Sequence, residues 1–356
     1  LTIEVRILFL NSNIPNYVTD GLFHGFYSMP DVTVVDVPRM NYMYTDASEE
    51  DLEKTGSKGN TLYGTLKEDK NAQGKRTYWQ ADIEQYDYVI FSDIFEQCDL
   101  FNFIYKSISP NRRKTLCVVD GYDSASIFPY FNFFLNLRIR PWAFLYSTQG
   151  AHYFKREFSN TGELYGVSKD RFLILNTIVS MFLQRPKNNF HPITMSIPED
   201  RIEYCSFRNK TQDFINYNVD AQLNSLFPDR GVAELGKWQP AFKNQAEYCD
   251  EIRKSRFGIT AKRAGWDCLR HYEYAALGAI LCFKDLKSKS VLCAPLGLDE
   301  TNCLPYTDKD DLLTKIKRKS VGELEAIQEA QYRWVEKYTT VKVAAGLLDK
   351  LLATKG

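Results

Sequence analysis

Residues 256–286 read RFGITAKRAGWDCLRHYEYAALGAILCFKDL, and the architecture turns on them. A short apolar run, RFGIT, leads into a basic, glycine-bearing loop, AKRAGWD. A helical segment, CLRHYEYAAL, follows, then Gly278 and a second apolar run, AILCF. This is a strand–loop–helix–strand pattern. The predicted helix opens behind Lys262, Arg263 and Asp267, with Arg270 one turn in and Glu273 in the second turn. Unsatisfied amides and the helix dipole attract anions at such an end, and the basic side chains add to that attraction. A phosphate at the helix start, with a sugar hydroxyl at Glu273, is one economical reading. Solvated cations and an exposed, helix-forming glutamate are the plainer one.

Working outward, the 356 residues leave room for two domains of ordinary size. With 44% hydrophobic residues, 25% charged residues and zero net charge, the composition is that of a soluble globular chain and gives nucleic acid no basic surplus to bind. The aromatic share, 14%, suits either sugar-binding clefts or large core side chains, and the core is the commoner use. Eight cysteines form no CxxC pair, and the four histidines complete no zinc spacing, so no metal ligands are assigned. Buried thiols in runs such as TLCVV suit a reducing cytoplasm. No stretch is long and apolar enough for a bilayer span, which leaves room only for peripheral membrane contact. LTIEVRILFL at the start reads as a strand rather than a signal peptide. Leu1 in place of a methionine is what a segment of a longer protein would show.

The same rhythm fills the first half. VRILFL (5–10) predicts a buried parallel strand, followed by a helix over 19–28 and the strand VTVVDV (32–37). The loop between them, NSNIPN, lacks the glycine fingerprint of a tight dinucleotide site. Residues 40–80 are polar and glycine-dotted, and read as an insertion or long loop on the acceptor side. Strands over 86–94 and 115–121 flank a helix near 100–107. Beyond the aromatic IFPYFNFFLNL, PWAFLYS (141–147) precedes AHYFKREF (151–158), which reads as cleft floor or as a solvated amphipathic helix. Prolines at 186, 192 and 198 mark a crossover between halves. The second half predicts a weak strand over 204–207 and a helix within 211–226. After GVAELGKW come a helix over 245–255, the focal stretch and a short strand, NCLPY. Helices over 307–320, 323–338 and 341–352 close the chain.

The run RHYEYAALGAILCF resembles the donor-side segment of glycosyltransferases of the GT-B fold, in which a helix written roughly E-x-x-A-x-G leads into the next strand. Glu273, Ala276 and Gly278 match it. The longer KRAGWDCLRHYEYAALG is similar to bacterial family-1-type glycosyltransferase-like proteins. The specific match covers residues 248–298. The resemblance implies an α/β chain of two Rossmann-like domains facing across a cleft. Residues 1–195 would be the acceptor side and 196–340 the nucleotide-sugar side, with a helix from 341 to 356 crossing back to the first domain. It also implies that Glu273 holds the nucleotide ribose and that the preceding basic loop holds the pyrophosphate. One departure stands out: where many retaining members carry a second acid, eight positions before that glutamate, this chain has Gly265.

Transfer from a nucleotide sugar needs charge for the departing diphosphate, orientation of the donor and, in an inverting reaction, a base. Lys262, Arg263, Asp267, Arg270 and Glu273 are the candidate donor contacts, with the helix end substituting for a metal. Base candidates lie where strands of the first half end: Asp20, His24, Asp93, Asp120 and Asp123, each of which could equally serve a turn, cap or packing role. His271 is expected to point away from Glu273. The expected activity is transfer to a glycan, lipid-linked or protein acceptor, in the making of a surface polysaccharide, lipopolysaccharide or glycosylated protein. A non-catalytic module that kept the fold is the alternative, and a nucleotide-sugar epimerase a weaker third.

Overall fold

The computed structural model describes residues 4–12, 14–55, 61–69, 72–125, 150–159, 189–227, 242 and 244–353. The first sheet takes β1 (Val5–Leu10), β2 (Val32–Val37), β3 (Tyr88–Phe91), β4 (Leu116–Asp120), β5 (His152–Lys155) and β6 (Phe190–Pro192). They run parallel in the order β2-β1-β3-β4-β5-β6. From Ile7 to Leu10 β1 can be apolar without a break because both its faces are covered: Ile7 and Phe9 join one core, Leu8 and Leu10 the other. Between strands lie α1 (Tyr17–Tyr27), α2 (Glu49–Glu53), α3 (Ala72–Tyr78) and α4 (Ile94–Ser107). Asn16 caps α1 through Val18 N, and Asp93 caps α4 through Phe95 N and Glu96 N. The strand order reverses between β1 and β3, so the crevice at their C-terminal ends is where ligands gather in such sheets.

The second sheet, also parallel, runs β10-β9-β8-β7. Its strands are β7 (Gln212–Phe214), β8 (Ser255–Thr260), β9 (Ile280–Lys284) and β10 (Leu304–Tyr306). The helices of this half are α5 (Gln245–Lys254), α6 (Leu269–Ala276), α7 (Lys309–Arg318) and α8 (Val321–Val335). Gly278, at φ +74, stops α6, and Ala279 N returns to Tyr274 O at 2.9 Å. The final helix, α9 (Thr340–Leu352), leaves this half and lies against α1, where a Cβ on Gly25 would come within 2.1 Å of Thr340 O.

Four expectations need correction. AHYFKREF is a buried strand, not a solvated helix, because Lys155 and Arg156 find carboxylates inside the protein. The stretch within 211–226 holds β7 and a 3₁₀ turn (Ala221–Leu226) in place of a helix, and 204–207 leads into a 3₁₀ turn (Phe207–Asn209) in place of a strand. Residues 40–80 are more than a polar loop: Met40, Tyr42, Met43, Tyr44, Leu62, Tyr63 and Leu66 are buried in the first core. IFPYFNFFLNL, PWAFLYS and GVAELGKW lie outside the described residues. All eight cysteines are free thiols, and among the described residues no helix is long and apolar enough to cross a membrane.

Candidate active site

β8 ends at Thr260, whose hydroxyl bonds His271 Nε2 at 2.7 Å and so ties the strand end to α6. The loop between them turns tightly, with Arg263 N donating to Gly265 O at 3.2 Å. Lys262 is exposed and sits 5.3 Å above the Trp266 ring. Arg270 lies over the Tyr217 ring at 4.9 Å, just beyond β7. Among the described residues its buried Nε has no partner. An unpaired guanidinium N–H beside the open amides of a helix start is suited to an anion. Cys268, at the N-cap, has its thiol drawn down: burial opposes this, but His271 and Arg270 outweigh it. His271 is drawn up despite burial, held by Cys268 and Asp267.

Glu273, one turn further on, is 8% exposed. Its Oε2 accepts from Tyr248 at 2.8 Å and its Oε1 from Thr61 at 2.5 Å, and Thr61 in turn accepts from Gln245 Nε2 at 3.2 Å. Burial raises the Glu273 carboxyl against those hydrogen bonds. Thr61 comes from the first half of the chain, so this glutamate faces the other domain. Asp267 is engaged within the protein: it accepts from Met195 N at 2.9 Å and Tyr272 OH at 3.1 Å, fastening the loop to the segment that joins the two sheets.

From the first domain, residues 156 and 157 reach into this loop. Arg156 Nη1 donates to Asp267 O at 2.8 Å, and Nη2 pairs with Asp123. Glu157 accepts from Trp266 N at 2.9 Å and Asp267 N at 3.3 Å, and from the Cys293 thiol at 3.1 Å. Gly265 is a requirement of that contact, since a Cβ there would lie 2.5 Å from Glu157 Oε1 and 2.7 Å from Asp123 Oδ1. Beside it a cavity of about 970 Å³ opens among the C-terminal ends of both sheets, lined by Asp123, Glu157, Lys262, Trp266, Lys284 and Lys289. Arg270 and Glu273 are not in its wall; they face Tyr217 and Thr61.

The base candidates are scattered. Asp120 is fully buried, paired with Lys155 at 2.8 Å and bonded by Tyr153 OH at 2.5 Å. Asp93 caps α4 and accepts from Tyr122 OH at 3.1 Å. His24 bonds Thr340 Oγ1 at 3.0 Å, in the α1–α9 contact. Asp20 is buried, with Tyr63 OH at 2.8 Å, Tyr42 OH at 3.3 Å and Asn16 N at 3.0 Å, and burial pushes its carboxyl up to about 7. Asp123 alone of these acids lines the cavity, half exposed. Thr61, Glu157 and Tyr217 were not singled out from the sequence. Only Glu157 had a signal, its place in the FKRE cluster. The one Asp-x-Asp triplet, Asp308–Lys309–Asp310, is taken up at a helix start, where Asp308 accepts from Asp311 N at 2.9 Å.

No protein-family model matches the chain, and no curated protein matches it in sequence. Solved structures match over nearly its whole length. A trehalose-6-phosphate synthase, OtsA, aligns at 11% identity with a TM-score of 0.52, covering 98% of this chain and 99% of that one. HepE of Anabaena, solved with UDP and glucose, aligns at 10% identity and 0.52, over 98% and 100%. The fold is GT-B. The sucrose-phosphate synthase of Thermosynechococcus elongatus, at 9% identity and 0.50, covers 99% of this chain and 100% of its own. In this GT-B chain the β1–β6 sheet and the β7–β10 sheet are the two Rossmann-like halves, and the loop from 261 to 268 lies between them, gripped from both sides.

Proposed function

We propose that the protein is a glycosyltransferase that moves a sugar from a nucleotide-sugar donor to a glycan, lipid-linked or protein acceptor without a metal. The observation that carries this is Arg270: a half-buried side chain at the start of α6, over the Tyr217 ring, whose buried Nε has no partner among the described residues, one turn before a buried glutamate. HepE, of the same fold, holds UDP and glucose. In this reading the α6 amides, Arg270 and Lys262 hold the diphosphate, and Glu273 accepts from ribose hydroxyls. The acceptor hydroxyl gives its proton to a first-domain carboxylate, its oxygen bonds to the anomeric carbon, and the carbon–diphosphate bond breaks onto a leaving group already neutralised. Asp20 and Asp123 are the base candidates that fit, the first because its carboxyl lies near 7, the second because it lines the cavity. Asp120 is already neutralised by Lys155 and His24 is engaged by α9. A cytoplasmic setting suits the eight free cysteines.

One observation favours a second reading, a non-catalytic module. Glu157 already occupies the amides of Trp266 and Asp267 that a diphosphate would seek. Donor hydrolysis separates the two, since a module binds without turnover.

A melting screen against nucleoside diphosphates tests the proposal. A nucleotide at one hundred times its dissociation constant should stabilise the protein by about 2.7 kcal/mol. Glu273→Ala and Arg270→Ala should each remove the shift, and Lys262→Ala should reduce it. A wild-type protein that responds to no nucleotide in the panel is not a nucleotide-sugar enzyme.

A further inference from the structure

Two buried carboxylates stand on opposite domains, Asp20 in α1 and Glu273 in α6, and one tripeptide touches both. Thr61 donates to Glu273 Oε1 at 2.5 Å, and Tyr63, two residues on, donates to Asp20 Oδ2 at 2.8 Å. Leu62 between them is fully buried, and Gly64, at φ +69, turns the chain so that its N–H meets Tyr42 O at 2.9 Å. Hydrogen bonds therefore hold the tripeptide at both ends, one to each domain. With Tyr248 on its second oxygen, Glu273 holds two hydroxyl donors in a nearly closed site. Two hydroxyls on one carboxylate is also what a vicinal diol would supply.

We propose that Thr61 is a stand-in for a donor hydroxyl, and that its displacement by the ribose of a nucleotide sugar withdraws Tyr63 from Asp20. This rests on the reading of Glu273 as the ribose contact. It makes Thr61 and Tyr63 positioning residues that act through the two carboxylates. With Thr61 on Glu273, Asp20 is covered by two tyrosine hydroxyls; with a donor hydroxyl in its place, one of them is drawn off and the carboxylate is released toward the acceptor side. Donor binding then precedes acceptor activation, and the link between the sites is a covalent one three residues long.

The test is titration calorimetry with UDP, GDP, ADP and dTDP on wild type, Thr61→Val, Thr61→Ser and Glu273→Gln, paired with hydrogen exchange of residues 61–66. Removing the competing hydroxyl should tighten nucleotide binding about three- to tenfold in Thr61→Val, while Thr61→Ser, which keeps it, should match wild type. Residues 61–66 should exchange faster with nucleotide than without. A merely structural Thr61 would instead give weaker binding in Thr61→Val and slower exchange on nucleotide addition, and either result overturns the proposal. So does a serine variant that behaves like valine. If wild type binds none of the four nucleotides, the glycosyltransferase reading falls and this falls with it. If binding is present and lost in Glu273→Gln but unchanged in Thr61→Val, only the stand-in role is refuted.

Discussion

Asp20 meets two tyrosine hydroxyls and an amide rather than a cation, and its pH behaviour follows from that. Burial puts the folded-state carboxyl near 7, above the ordinary aspartate value of 3.8, so the native protein keeps a proton that the unfolded chain has released. Its contribution to stability is whole below about pH 4 and is lost as the pH rises through 7. Asp20→Asn should be nearly neutral at pH 4 and more stable than wild type, by on the order of 2–4 kcal/mol, at pH 8. Urea melts at the two pH values read this directly, and an unchanged difference between them would contradict it. Lys155 and Asp120 behave differently, because each is the other's charge. Lys155→Met should cost about 3–5 kcal/mol at neutral pH, the penalty of leaving a buried carboxylate alone. None of these pairings was legible beforehand. In the sequence Lys155 and Arg156 read as cleft floor or as a solvated helix face, without their partners, since the acids that take them in stand more than thirty positions away.

At the scale of elements, the sequence was most informative where burial is two-sided. β1 and β2 appear with the bounds that their apolar runs announced, and the focal strand–loop–helix–strand came out as β8, α6 and β9. Residues 40–80 were opaque for a physical reason: their buried side chains are few and irregularly spaced, so no period betrays them, and Thr61 carries its role in a single hydroxyl. The contact of α1 with α9 depends on Gly25 as bare backbone. Gly25→Ala should destabilise the protein by about 3 kcal/mol through overpacking and loosen residues 340–352. Proteolysis confined to that helix, appearing before any cleavage in α6, is the expected pattern.

For the whole molecule, the halves share a core, the α1–α9 contact and the Thr61–Glu273 bond, and a cluster of side chains around one loop adds to them. Arg156 and Glu157 on one side and Asp267 on the other leave little freedom between the sheets in this state. Arg156→Ala combined with Glu157→Gln should open the cleft, giving a larger radius of gyration in solution scattering without loss of helix content. The same variant should bind diphosphate more tightly, because the amides of Trp266 and Asp267 lose their resident carboxylate. Weaker binding would show that the clasp builds the site rather than obstructing it.

The return of α9 to α1 has a consequence for biosynthesis. Val18, Leu22 and Phe26 share a core with Ala344, Leu347 and Leu351, so the first domain is finished by residues made long after its own. At ordinary translation speeds, roughly ten to thirty seconds separate residue 195 from residue 352. Throughout that interval the nascent chain shows an uncovered oily face, a target for whatever chaperones wait at the ribosome exit.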